Sequence, residues 1–137
     1  MPTSLWPVRY ISVSIDRPPG DVYEIAANPA NLPRWASGLA GTITPDADGD
    51  GSWTASSPMG KVTIRFADRN PFGVLDHDVT LPSGETIHNP MRVVPNASGC
   101  EVSFTLFQRP GTSDSDFESD ARAVTRDLAA LKALVER

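Results

Sequence analysis

The sequence of 137 residues holds one cysteine, Cys100, and only two histidines, His77 and His88. A lone cysteine excludes an internal disulfide and any metal site built from several thiolates, and it suits a reducing compartment. Basic residues are also few: 12 lysines and arginines stand against 17 acidic residues, for a net charge of −5. That balance opposes binding to nucleic-acid phosphates or to anionic lipid surfaces. Lys61, Arg65 and Arg69 do cluster, but no aromatic stacking platform is interleaved with them, so they read as a solvated strand face. No apolar run approaches the roughly 20 residues needed to cross a bilayer, and Met1 to Pro7 lacks the basic start and apolar run of a secretory signal. The expectation is a cytoplasmic protein with no membrane span, no nucleic-acid partner and no cofactor.

What the sequence has in plenty is punctuation. Its 13 prolines and 10 glycines cut the chain into short segments without a repeat or linker, so one domain over residues 1–137 is expected. Val8 to Asp16 alternates, with Ile11, Val13 and Ile15 on one side, as a half-buried strand does. Asp21 is the expected N-cap of a helix from Val22 to Ala27, which Asn28-Pro29 ends because a residue before proline avoids the α region. A second short helix is expected over Asn31 to Ser37, carrying Trp35 and closed by Gly38 in a left-handed conformation.

From Leu39 to Gln108 the period is two, as in an antiparallel meander. Trp53, Ala55 and Ser57 share parity with Val62, Ile64 and Phe66 across Pro58 to Lys61. A loop at Ser83-Gly84-Glu85 puts Leu75, His77 and Val79 on one face with Asn89, Met91 and Val93, and sets Asp76 against Arg92 on the other. A loop at Asn96 to Gly99 extends that register to Val102, Phe104 and Leu106. A slip of one residue would carry charges onto the apolar face, so the agreement between hairpins supports the pairing itself. Ser113 or Asp114 then caps a helix to about Glu136, whose stripe Phe117, Ala121, Val124, Leu128, Leu131 and Val135 must lie on an apolar surface. Glu118, Asp120, Arg122, Arg126, Asp127 and Lys132 occupy its other face.

The order of these elements, with Ile15-Asp16-Arg17-Pro18-Pro19-Gly20-Asp21-Val22-Tyr23, Asn28-Pro29 and Asn31-Leu32-Pro33-Arg34-Trp35, resembles the START-like or SRPBCC superfamily of polyketide cyclase, dehydrase and lipid-transport-like proteins. Pro90 to Asn96, Phe104 to Phe107 and Arg109-Pro110-Gly111 resemble a bacterial subgroup of it. The resemblance runs nearly end to end. It implies an α+β helix-grip fold: a curved antiparallel sheet of about seven strands, two short helices, and a long C-terminal helix closing an apolar cavity. The superfamily includes carriers, cyclases, oxygenase subunits and chaperone co-factors, so the shared fold does not transfer an activity. No stretch matches the iron ligands of the oxygenases.

His77 falls on the apolar face with Asn89 diagonally across, two polar groups able to orient a ligand oxygen or to move a proton in a cyclisation or dehydration. The competing reading gives His77 a structural hydrogen bond in the core. His88 falls on the opposite face, which leaves no metal site. Through the resemblance, Trp35, Trp53, Phe66, Leu75, Val79, Met91, Phe104, Leu106, Val124 and Leu128 are expected to line the cavity. Asp46 to Gly51 resembles the first half of a calcium loop, but Ser57 stands where a bidentate glutamate is required, so a polar turn is expected. Asp76 and Asp78 point outward, and Cys100 has no basic neighbour to activate it.

Three functions follow. The favoured one is non-catalytic binding of a small hydrophobic molecule, lipid-like or aromatic polyketide-like, by a monomer or homodimer. The second is a cyclase, dehydratase or isomerase using His77 and Asn89. The third is an interaction module of the chaperone co-factor or toxin-like type, against which no exposed apolar patch is readable.

Overall fold

The computed structural model describes residues 5–39, 41–47 and 49–137. β1 (Val8–Ile15) is the strand that the alternation predicts, and its partner is the last strand, β8 (Gly99–Phe107), antiparallel from Val8 opposite Phe107 to Ile15 opposite Cys100. β7 (Met91–Asn96) lies on the other side of β8 and completes a three-stranded sheet. A five-stranded sheet follows chain order: β2 (Ile43–Pro45), β3 (Ser52–Ser57), β4 (Gly60–Phe66), β5 (His77–Thr80) and β6 (Thr86–Asn89).

Among the described residues there are thus eight strands in two sheets where about seven in one were expected, and Pro90 is the reason. With no N–H to give to a ladder, it interrupts what would otherwise be one strand from Thr86 to Asn96. The sheets stay joined beside the break. Leu75 N–H donates to Met91 O at 2.8 Å, and Val93 N–H donates to Gly73 O at 2.9 Å.

The register between β7 and β8 is the one read from the sequence, with Met91 opposite Phe104 and Val93 opposite Val102. Between β5 and β6 the loop is Pro82-Ser83-Gly84, one residue earlier than expected: Leu81 N–H donates to Glu85 O at 2.8 Å and Gly84 N–H to Leu81 O at 2.9 Å. Pro82 pre-sets the first turn angle, and Gly84 takes the positive φ of 92° that the third loop position requires. The register moves by two residues, which keeps every side chain on its face. His77 consequently lies directly opposite Asn89 instead of diagonally.

Asp76 and Arg92 still meet across the sheets, in a fork of 3.1 and 2.9 Å. Burial pushes the Asp76 carboxyl up, but hydrogen bonds from Arg92 and from Met91 N–H outweigh it and hold the group below its ordinary 3.8. The folded chain therefore releases this proton more readily than the unfolded chain. Its contribution is complete above pH 3.8 and is lost as pH falls through that value toward the lower folded one. The expected result is a flatter acid limb for Asp76→Asn than for the wild type, each taken relative to its own neutral stability and read by urea titration from pH 5 to about pH 2; parallel limbs would show that this pair is irrelevant.

α1 (Pro19–Ala26) starts earlier than expected: Pro19 occupies its first position and Asp21 sits inside the first turn, not at the cap. Proline's fixed φ suits that position, where its missing N–H costs nothing. α2 is only Leu32–Trp35, flanked by 3₁₀ turns at Pro29–Asn31 and Ser37–Leu39, because Ala36 turns extended. Gly38 belongs to the second of those turns and is not left-handed.

α3 (Asp114–Val135) begins as expected, with Ser113 Oγ accepting from Asp116 N–H at 3.1 Å. It lies across β1 and β8 and against α2. Its stripe buries Phe117, Ala121, Leu128, Leu131, Leu134 and Val135, the last four in one core cluster with Ile15, Met91, Val93 and Val102 of the sheets.

Candidate functional site

Between the sheets and the helices the side chains leave a part-open cavity of about 190 Å³. Its sheet side is Ile64 of β4, His77 and Val79 of β5, Asn89 of β6 and Phe104 of β8. Its helical side is Leu32, Trp35 and Ala36, the turn at Gly38 and Leu39, and Val124, Asp127 and Leu128 of α3. Each sheet residue is inward by strand parity, and Val124 and Leu128 of α3 face them across the cavity.

Of the twelve residues singled out from the sequence, the structure brings seven to this cavity: His77, Asn89, Trp35, Val79, Phe104, Val124 and Leu128. The other five lie elsewhere. Leu75 and Met91, each 1% exposed, are packed solid at the junction of the sheets. Trp53 faces inward opposite Ile64 but beyond the cavity, next to Pro45. Leu106 sits opposite Arg9 toward the far end of β1. Phe66 stacks on the His77 ring with centroids 4.8 Å apart, so it backs the site instead of lining it.

His77 is held from two sides. Its ring also lies against Phe104, 6.0 Å between centroids, and Nδ1 is 3.0 Å from Leu75 O. A carbonyl can only accept, so Nδ1 carries the hydrogen and the neutral ring presents Nε2 as an acceptor. Burial pushes the His77 pKa below its ordinary 6.5, against smaller opposing effects from the Leu75 carbonyl and Asp76. The imidazole is neutral at physiological pH.

Trp35 is 7% exposed, and its Nε1 is the buried side-chain polar atom that has no hydrogen-bond partner among the described residues. Asn89 makes no side-chain hydrogen bond among them either, whereas Asp127, which the sequence reading left on the solvent face, closes the rim. Its Oδ1 accepts from Ser37 N–H at 3.0 Å and from Ser37 Oγ–H at 2.9 Å. The signal for Asp127 was its spacing, three residues after Val124 and one before Leu128.

The remaining expectations concern other places. His88 is on the outer face, 2.6 Å from Asp78 Oδ1. Cys100 is buried, which pushes its thiol up and away from nucleophilic chemistry. In the acidic turn Asp46 accepts from Thr54 and Asp50 from Ser52 N–H, and Asp48 lies outside the described residues. No group of three metal-ligating side chains occurs among the described residues.

A larger concavity of about 530 Å³ opens on the outside beside Tyr23, Asn70 and Phe72. Its polar groups are already used: Tyr23 Oη accepts from Asn70 N–H, and the Asn70 amide bonds Asp68 O and Val74 O. An exposed aromatic cluster not legible in the sequence stands at the outer end of β1 and β8, where Trp6 meets Phe107 edge to face near the exposed Tyr10.

A curved antiparallel sheet gripping a long C-terminal helix around such a cavity defines a helix-grip α+β protein. Residues 10–136 match the family described as polyketide cyclase / dehydrase and lipid transport, and the chain belongs to that family. Among solved structures it is similar to XoxI from Bacillus cereus, with a TM-score of 0.73 and 15% identity over 93% of this chain and 94% of that one. It is equally similar to the Aha1 dimer from Colwellia psychrerythraea, with a TM-score of 0.73 and 14% identity over 95% and 96% of the two chains. DynU16, from the dynemicin biosynthetic locus, matches with a TM-score of 0.72 and 15% identity over 94% of this chain, which spans 47% of that one. At these identities the likeness is one of fold. Comparison with curated protein sequences gives no match. Among the described residues no helix is long and apolar enough to cross a membrane.

Proposed function

We propose that the chain binds a small hydrophobic molecule in the cavity between β4, β5, β6, β8 and α3. One observation carries this: the cavity is walled mainly by apolar side chains, with His77, Asn89 and Asp127 as its polar groups. A closed core would have filled that space with side chains. The family's lipid-transport description and the helix-grip fold support the same reading.

A thermal-shift panel of small aromatic and aliphatic compounds tests it. A ligand that binds only the folded state stabilises it by about 2.7 kcal/mol at a hundred times its dissociation constant, so even weak binders raise Tm. A panel without one reproducible shift rejects the proposal.

The geometry of His77 favours catalysis as a second reading. With Nδ1 fixed on Leu75 O and Nε2 free to accept, the ring is set to take a proton from a bound substrate, as a cyclase, dehydratase or isomerase requires. Asn89, directly opposite on β6, would hold the substrate oxygen. On this reading His77→Ala lowers kcat by about 100-fold or more with any substrate found, while leaving ligand affinity within a few-fold. Turnover that survives the substitution removes the acid/base role and leaves binding alone.

A further inference from the structure

We propose that the cavity takes an alcohol or a phenol in preference to a ketone, ether or hydrocarbon of the same shape, its hydroxyl donating to His77 Nε2 and accepting from the Asn89 carboxamide. This rests on the reading of the cavity as a binding site and adds the functional group that the site takes.

His77 and Asn89 stand directly opposite each other on β5 and β6, and both line the cavity. Side chains paired in this way share one face of the sheet with Cβ atoms about 5 Å apart, so one small ligand group between them meets both.

Both groups are unspent. The His77 ring is stacked on Phe66 and lies against Phe104, and its Nδ1 is taken by Leu75 O. What remains of the ring is the edge that bears Nε2. That atom has no hydrogen-bond partner among the described residues, and neither has the Asn89 carboxamide. Trp35 Nε1 is the one buried side-chain polar atom left unpaired among those residues. His77 Nε2 and the Asn89 carboxamide, unpaired as well, therefore lie within reach of water and are not sealed in the core.

Their chemistry decides what can bridge them. With the hydrogen on Nδ1, Nε2 can only accept, and burial keeps the ring neutral. The carboxamide both donates and accepts. A water between them serves both, giving a hydrogen to Nε2 and taking one from Asn89 Nδ2. A ligand that displaces such a water keeps its affinity only by reproducing those bonds. A hydroxyl does so with one oxygen. A ketone or ether accepts from Asn89 but sets a lone pair against Nε2, and a hydrocarbon satisfies neither group. Moving the imidazole hydrogen to Nε2 would suit a ketone, but it would leave two acceptors, Nδ1 and Leu75 O, 3.0 Å apart. Asp127, the third polar group of the lining, already accepts twice through Oδ1 from Ser37 at the rim.

The test compares alpha-tetralol, as its separate enantiomers, with its methyl ether and with alpha-tetralone on the full chain by isothermal titration calorimetry. The tighter enantiomer of the alcohol is expected to bind about tenfold more strongly than the ether or the ketone. His77→Phe keeps an aromatic ring beside Phe66 and Phe104 and removes the acceptor, so it should erase the advantage of the alcohol while keeping ketone binding. Because that variant could unfold, the wild type provides a second reading: alpha-tetralol, but not alpha-tetralone, moves the His77 Nε2 nitrogen resonance upfield in the NMR spectrum. Equal affinities for alcohol and ketone, an advantage that survives His77→Phe, or an Nε2 resonance that the alcohol leaves unmoved each overturn the inference while the binding reading stands. Failure of all three probes to bind overturns the binding reading itself.

Discussion

Leu128→Ala is expected to destabilise the chain by about 3 kcal/mol and, at the same time, to admit larger ligands. Leu128 is 2% exposed, belongs to the apolar stripe of α3, and lines the cavity. Removing three carbons from such a position forfeits their transfer energy and adds the cost of the space left behind. At most buried positions that space would be isolated. Here it joins an existing cavity of about 190 Å³, so the variant should bind a three-ring aromatic more tightly than the wild type does. Urea unfolding reads the first effect and calorimetric titration the second. Lost stability without a widened ligand range would show that Leu128 packs against core apart from the site.

Gly73→Ala is expected to cost at least about 3 kcal/mol, a fall in Tm on the order of 10 °C for a chain of this size. Gly73 has a φ of 73°, and a Cβ placed on it would stand 2.2 Å from Val93 O. The left-handed conformation alone costs alanine about 1 kcal/mol. The larger part is the clash, since Val93 N–H donates to Gly73 O in one of the bonds that join the two sheets beside Pro90. To relieve the contact β7 must draw away from Gly73, which opens the junction under Met91 and Leu75. A thermal melt checks this, with Gly84→Ala as the comparison: that glycine also has positive φ, 92°, but nothing lies within 4 Å of its added Cβ. Equal losses for the two variants would remove the clash from the explanation.

The fold was legible because several independent patterns agreed. The parity of β5, β7 and β8 and the stripe of α3 point to one concave apolar surface, and any one-residue slip would have put Asp76, Arg92 or Glu101 on it. What was missed was turn chemistry. The loop between β5 and β6 is centred on Pro82-Ser83-Gly84, where proline at the first position and glycine at the third decide the register. The double turn around α2 depends on Ala36 becoming extended, which no local rule dictates.

The site was legible by face and not by depth. Parity places Leu75, Met91, His77 and Phe104 on one surface, but it does not say that the first two are packed solid and the others border a void. Asp127 was passed over because charged residues on a long helix are usually solvated. It lies at the edge of the stripe, where its partner Ser37 comes from a turn 90 residues away in sequence. Contacts of that range are not written in local periodicity.

The claim at the centre of this account is that the cavity between the sheets and the helices, and not the outer groove, takes a small molecule. The most direct test is a map of backbone amide NMR shifts during titration of the full chain with alpha-tetralone. The account predicts changes concentrated at Trp35, Ala36, Leu39, His77, Val79, Val124 and Leu128, around the cavity. Changes concentrated instead at Gly20, Tyr23, Asn70 and Phe72, around the outer groove, or no saturable change anywhere, would contradict it.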